Sequence, residues 1–366
     1  MEKINKKLIT MMIVLLIIGC GQSGTSTSGT STSTSGTSTS TSTSTSTSTG
    51  AGAIGLSGIV MELGRSAESI FYAFMNLMAD TLGFIITKDT KRDEVGIYFG
   101  GLGQKLGEAS KKLETGVDNS DSSKDDPIRT AVNAAKATLN TLKGHLDSLK
   151  DIGDDKKVVN VASNQQGAAA DENALKKALK ALQGIVEIAK TQKVEEPKKN
   201  DIAIDDASIG VTSSKNGAKI LTTGAAAGAA VGDKAAAIVS AVSGDEMLAS
   251  IVKSTDNDAQ ITANADGNTT AISFAKGGAT AEHLAQDTAK AAAVAGGIAL
   301  RSLVKTGKLA AHNNNDEKAV QSAGITAVNK LLRAVEGIIK KTVNKVLTTV
   351  KEKIAEKKQA ETVGQQ

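Results

Sequence analysis

The stretch "SAGITAVNKLLRAVEGIIKKTVNKVLTTVKEKIAEKK" occupies residues 322–358. In it Ile325, Val328, Leu332, Val335, Ile339, Val343, Val346, Val350 and Ile354 recur every three or four positions. Side chains so spaced share one face of an α-helix. The stretch therefore predicts one long amphipathic helix of about 50 Å at 1.5 Å per residue. Its last turns gather lysine, which the negative end of a helix macrodipole favours. Lys-rich residues 340–358 also leave open a helix lying on an anionic membrane surface. A stripe this long needs partner faces, and the rest of the chain is read for them.

A second stripe lies near the start. "IVMELGRSAESIFYAFMNLMADTLGFI" (59–85) aligns Ile59, Leu63, Ala67, Ile70, Phe71, Phe74, Met78 and Leu82, and holds three of the five phenylalanines. This face is expected to pack on the terminal helix. After a polar break, a shorter helix is expected around Val95 to Leu106. Residues 117–127 read as a solvated loop in which Asp125 and Asp126 cap a helix beginning near Pro127. Ile128, Val132, Ala135, Leu139, Leu142, Leu146 and Leu149 give that helix its core face. A Gly/Asp/Asn-rich connection (150–173) leads to another amphipathic helix, Ala174 to Lys190. From Val194 to Asp287 short apolar pieces are cut by Gly, Asn, Asp, Ser and Thr, the texture of loops and short helices at an exposed end. Within it "TTGAAAGAAVGDKAAAIVSAVSG" (222–244) reads as a packed helix, because Asp233 and Lys234 interrupt it as a membrane span.

The N-terminus has a different character. Lys3, Lys6 and Lys7 precede an apolar run, Leu8 to Ile18, broken only by Thr10. Gly19 then stands before Cys20, the only cysteine of the chain. This is the three-part layout of a secretory signal. Its apolar part is too short to span a bilayer as a helix, which takes about 20 residues. Ile17-Ile18-Gly19-Cys20 resembles the bacterial lipobox, in which the cysteine receives a diacylglycerol and the peptide is cut before it. A lone cysteine cannot pair within its own chain, and Cys20 is accordingly the expected lipidation site. Two or three acyl chains give stable anchoring where one is marginal. Ser23 to Thr49 contains only Ser, Thr and Gly. Such a tract buries no apolar surface and reads as a disordered tether of roughly 30 Å mean reach.

These readings divide the chain into a signal peptide (1–19), a lipidated and tethered segment (20–57) and a helical domain (58–366). The expected fold class is all-α. It is an elongated helical bundle, its long N- and C-terminal helices packed at the membrane-proximal end, with loops and short helices at the distal end. Composition agrees: aromatics are 2% of residues, with no Trp and only two Pro, which disfavours a β-sandwich. Lys plus Arg number 43 against 39 Asp plus Glu, a near balance that does not point to nucleic acid.

Motifs for chemistry are poor. Gly101, Gly103 and Gly107 miss dinucleotide spacing by one residue. Gly228 to Lys234 lacks the Gly-Lys-Ser/Thr of a phosphate loop. His145, His283 and His312 are far apart in sequence and form no metal-binding pair. No catalytic residue, cofactor or metal site is expected, and the chain is not read as an enzyme. Two lysine clusters, Lys176/Lys177/Lys180 and Lys198/Lys199, offer an alternative reading as an adhesin for host glycosaminoglycans. They equally fit a solvated helix face and loop.

Four places carry a resemblance. "MELGRSAESIFYAF" (61–74), "TLNTLKGHLDSL" (138–149) with Gly153-Asp154-Asp155 after it, "GGIALRSLVKTGKLAA" (296–311) and the last helix from "AVNKLL" (327–332) resemble the variable large proteins. These are the variable major lipoproteins of relapsing-fever Borrelia, similar to VlsE. The Ser/Thr tract is longer than the mixed tether expected there. The resemblance implies a helical protein anchored in the outer membrane through acylated Cys20, surface-exposed, with host antibodies as its partners. It implies replacement of the expressed version to escape them. On that reading 58–149 and 296–366 form a framework, and 150–295 carries the variation.

Overall fold

The computed structural model describes Tyr72 and residues 82–118, 127–224 and 226–363. The expected signal peptide, Cys20, the tether and the capping pair Asp125/Asp126 lie outside the described residues. So does most of the 59–85 helix.

The architecture is all-α, as expected. Helix α1 (Arg92–Asp118) and α2 (Pro127–Leu149) form an antiparallel hairpin. Its direction shows in the order of close approaches: Gly96 faces Lys150, Gly103 faces Asp147 and Leu146, and Gly107 faces Lys143. The stripe expected for α2 is the stripe that is buried, with Pro127 at its first position, where a missing N–H costs nothing. Helix α1 runs far beyond the Val95–Leu106 expected for it. Glycines lower helix propensity by about 1 kcal/mol each. Here they let two backbones meet: a Cβ on Gly96 would stand 2.2 Å from the Lys150 carbonyl oxygen. Tertiary packing offsets the propensity cost.

A connection containing the short strand β1 (Val161–Ser163) leads to α3 (Glu172–Thr191), whose N-cap Asp171 accepts from the Ala174 N–H. Next come 3-10 helices at Ala207–Ile209 and Ser214–Leu221 and four short helices. These are α4 (Gly232–Ala241), α5 (Gly244–Val252), α6 (Ala271–Lys276) and α7 (Ala281–Leu284). Helix α8 (Ala291–Leu303), strand β2 (Leu309–Ala311) and α9 (Asn314–Val363) complete the fold. Strands β1 and β2 pair in parallel with Val161 opposite Leu309. Three-residue strands carry too little alternation to be read from sequence.

Three expectations are corrected. The 222–244 stretch is helical only from Gly232; before it, Thr223 N–H donates to the Gly278 carbonyl and Gly228 has φ +82°. The 194–287 region consists of loops and short helices as expected, but it is not merely an exposed end. Ile204, Leu221, Ile238, Met247, Leu248, Ile251 and Phe274 are all fully buried. Residues 340–358 do not offer an apolar face to a membrane, because Val343, Val346, Val350 and Ile354 are buried in the protein.

Helix α9 has 50 residues, about 75 Å at 1.5 Å per residue, and is the spine. Helices α2 to α6 of the bundle and α8 are reached from it directly or through α8. Every residue of α8 is buried, as expected for a helix that is apolar all round. The segment leading into α1 also lies along α9. Gly83 N–H donates to Glu336 Oε2 (3.3 Å) and Ile86 N–H to Asn329 Oδ1 (2.8 Å). The Lys351 ammonium stands 5.9 Å from the centre of the Tyr72 ring. The order 72–351, 83–336, 86–329 is antiparallel, the pairing expected for the N-terminal stretch. Tyr72 is helical, whereas Leu82 to Ile85, inside the stretch expected to be helical, are not. Gly83, at φ +103°, has left the helical region in a way L side chains resist.

Candidate functional site

The charged groups inside the protein are the unusual feature, because buried charges need partners. Arg92, at the start of α1, is 1% exposed. Its Nη1 donates to both oxygens of Asp154 (3.1 and 3.2 Å), Nε to the Ser302 carbonyl (2.9 Å) and Nη2 to the Gly307 carbonyl. Asp154 also accepts from the N–H groups of Thr306 (3.2 Å) and Lys156 (3.1 Å). Burial pushes the Asp154 carboxyl up, but the Arg92 charge and these N–H groups outweigh it and hold it below the usual aspartate value. Thr306 has φ +66°, uncommon for a β-branched residue. Its N–H on Asp154 and its hydroxyl on the Ala169 carbonyl (3.0 Å) hold it there.

Arg301, in the last turn of α8, is 0% exposed and faces only carbonyls. Nε donates to Ala275 (2.8 Å), Nη1 to Leu221 (2.8 Å) and Nη2 to Phe274 (3.3 Å). Ala275 and Phe274 are at the C-terminal end of α6, the negative end of its dipole. Burial lowers the guanidinium to about 9, so it remains charged at neutral pH. Gly277 (φ +72°) makes room: a Cβ there would meet Arg301 Nη2 at 2.1 Å.

Helix α9 holds α4 at both ends. Asp316 Oδ1 accepts from the N–H groups of Val231 (3.0 Å) and Gly232 (2.7 Å). Lys330 Nζ donates to the carbonyls of Val239 (2.8 Å), Ser240 (3.2 Å) and Val242 (2.7 Å). The α4–α5 corner then sits so close that a Cβ on Gly244 would lie 2.0 Å from the Lys330 carbonyl oxygen. Gln183 of α3 serves the end of α5, its Nε2 donating to Val252 (3.1 Å) and Ser254 (2.9 Å) carbonyls.

Glu336 is 6% exposed and accepts from the Tyr98 hydroxyl and Gly83 N–H. Burial raises its pKa; Tyr98, Gly83 and the nearby Arg333 charge act against this without cancelling it. A carboxyl raised in the folded state favours folding most fully below the unfolded value, and that contribution is lost as pH rises through the folded value. Glu336→Gln is therefore expected to be more stable than the parent at pH 8, the advantage vanishing by pH 4. The amide can donate to the Tyr98 oxygen and accept from Gly83. Urea unfolding at both pH values checks this; an equal deficit at both would refute it.

One histidine is packed between helices. His145 on α2 lies under Gly184 of α3, and burial lowers its pKa; His283 and His312 are half-buried. Among the described residues no three His, Cys, Asp or Glu gather to hold a metal. Of the lysine clusters, Lys176 pairs with Glu172 (3.0 Å) and Lys180 with Asp256 (2.7 Å). Lys177, Lys198 and Lys199 are exposed. A cleft of about 80 Å³ between α5 and the start of α8 is lined by Lys199, Glu246, Lys253, Asn268 and Lys290. Two of its polar groups are committed to main chain: Glu246 to Ser243 N–H and Lys290 to the Asp201 carbonyl. An open groove of about 610 Å³ on the α1–α2 hairpin is lined by Ile97, Gly100, Gly101 and Gly107. No single described helix is long and apolar enough to cross a membrane.

What these parts define is a helical scaffold that grips a glycine-rich, loop-cut segment by its backbone. Residues 67–354 match the model of the Borrelia lipoprotein family, and the chain belongs to that family. It is 54% identical over 365 residues to variable large protein 25 of Borrelia hermsii, covering 98% of this chain and 96% of that one. Variable large protein 21 of the same organism is 51% identical over 368 residues, with the same coverage. The crystal structure of the Lyme disease variable surface antigen VlsE of Borrelia burgdorferi is similar at a TM-score of 0.65 and 25% identity. The match covers 82% of this chain and 98% of that chain.

The motifs behind the resemblance can now be placed. Asp154 in Gly153-Asp154-Asp155, and Arg301, Thr306 and Gly307 in "GGIALRSLVKTGKLAA", build the buried charge networks. They hold the fold together. Sequence reasoning missed this role, because Arg301 stands in an apolar run and its acceptors are carbonyls that no side chain announces.

Proposed function

We propose that this protein is an outer-surface lipoprotein whose exposed face is replaced, version by version, to evade host antibodies. Cys20 carries the acyl chains that hold it in the outer membrane, residues 1–19 are removed, and 20–57 tether the domain. The framework is 58–149 and 296–366, and the exchangeable face lies within 150–295. One observation carries the reading: the fold recurs in a variable surface antigen at only 25% identity, with a TM-score of 0.65. A scaffold that keeps its path while most side chains change suits an antigen that must change its surface and still fold. Exposed substitutions cost little, within about 0.5 kcal/mol, whereas core stripes do not tolerate them.

The test uses bactericidal serum raised against cells displaying this chain. It is expected to kill those cells and spare an isogenic clone whose protein differs only within 150–295. Equal killing of both would reject the proposal.

A further inference from the structure

We propose that Asp316, Lys330 and Arg301, with Gln183, form a set of main-chain latches. They dock residues 221–277 on the rest of the domain through its main chain, with glycines at the closest approaches and no demand on its exposed side chains, which makes it an exchangeable cassette. The inference rests on the antigen reading for its biological purpose, but its test needs no serum.

Asp316, Lys330 and Arg301 meet backbone polarity with matching charge, and Gln183 meets it with a neutral amide. Helix α4 has an N-cap, Val231, with no side-chain acceptor of its own; Asp316 supplies one from α9. Fourteen residues later on α9, about 21 Å at 1.5 Å per residue, Lys330 meets the carbonyls at the other end. A carboxylate at the N-terminus and an ammonium at the C-terminus are the signs a helix macrodipole favours, whatever side chains the helix carries. Gln183 takes the carbonyls at the end of α5, and Arg301 those of Leu221 and the end of α6. The N-terminus of α5 is closed locally by the Ser243–Glu246 capping box. Among the described residues, no ion pair or side-chain-to-side-chain hydrogen bond joins 194–287 to 296–363. The ion pairs of the cassette reach α3, as Lys180–Asp256 and Lys276–Glu172, and Lys219–Glu282 joins the residues that flank it. The framework thus specifies where the cassette's backbone runs, and close approaches such as Gly244 on Lys330 enforce that path. The cassette's own apolar residues fill the core, and its exposed positions are left to vary.

Amide hydrogen exchange of the full chain, read by segment, tests this. Lys330→Met is expected to speed exchange over 232–252 by about tenfold or more, as loss of a partly buried charge–dipole contact implies, with α1 and α2 within about twofold of the parent. Lys330→Arg restores much of the protection, since the guanidinium keeps the charge and the donors. Asp316→Asn, milder and safe for folding, speeds exchange at the start of α4. A version with Ser240, Lys253, Asn257, Ala259, Thr262 and Asn264 all changed in size and charge keeps the parent's protection over 232–252. Unchanged exchange in both Lys330→Met and Asp316→Asn overturns the proposal. So does loss of protection in the six-fold surface version equal to that of Lys330→Met. Serum that fails to discriminate versions would refute the antigen reading and leave these exchange results standing.

Discussion

Arg301→Met is expected to lower the unfolding free energy by about 3–5 kcal/mol. Methionine fills the space of the arginine stem but offers no donor. The carbonyls of Leu221, Phe274 and Ala275 then stay buried without partners, at about 1–3 kcal/mol each. One effect opposes this: the parent bears the cost of holding a charge in a site without a carboxylate, the burial that lowers the guanidinium to about 9. Removing that charge returns part of the loss, which sets the expectation below the full sum. Arg301→Lys recovers only part. Its single ammonium on a flexible stem does not reproduce the planar fork that reaches Leu221 on one side and the end of α6 on the other. Urea unfolding followed by far-UV circular dichroism measures both. A methionine variant within about 1 kcal/mol of the parent would mean that these carbonyls find other partners, contrary to the geometry.

This residue also marks how far the sequence could be read. Helix α2 and the terminal helix were legible because their apolar residues repeat on one face, which is the face buried. Helix α3 was legible for the same reason, although its cap, Asp171, was not singled out. Helix α8 was not, since a helix buried on all sides has no stripe to count. The length of α1 was not, since its glycines are a penalty locally and become an asset only against Lys150 and Lys143. The latches were least legible. Lys330 lies 88 to 91 residues from the carbonyls it holds, and main-chain acceptors look alike in every sequence. The antigen reading came from the four resembling segments. The residues of those segments that can now be placed mostly build the interior.

Asp154→Ala is expected to cost about 3–5 kcal/mol at pH 7, because it leaves the Arg92 charge buried without its counterion. Arg92 is 1% exposed, so water cannot take the carboxylate's place, and the Ser302 and Gly307 carbonyls solvate it only in part. The strained turn at Thr306 loses an acceptor at the same time. The pH dependence separates this account from simple loss of packing. The Asp154 carboxyl is held below its ordinary value in the folded state. Its contribution is therefore fully present above the unfolded value, near pH 4, and is lost as pH falls through the lowered folded value. The difference between parent and Asp154→Ala is expected to be constant from pH 5 to 8 and to shrink steadily below pH 4. Other carboxylates with lowered values, such as Asp258 and Asp266, weaken both proteins alike in acid and drop out of the difference. Asp154→Asn, which keeps an oxygen for the guanidinium but no charge, falls between the two at neutral pH. A deficit for Asp154→Ala that persists undiminished into acid would assign the residue a packing role and remove Arg92 from the charge network that holds the start of α1 to the turn after α8.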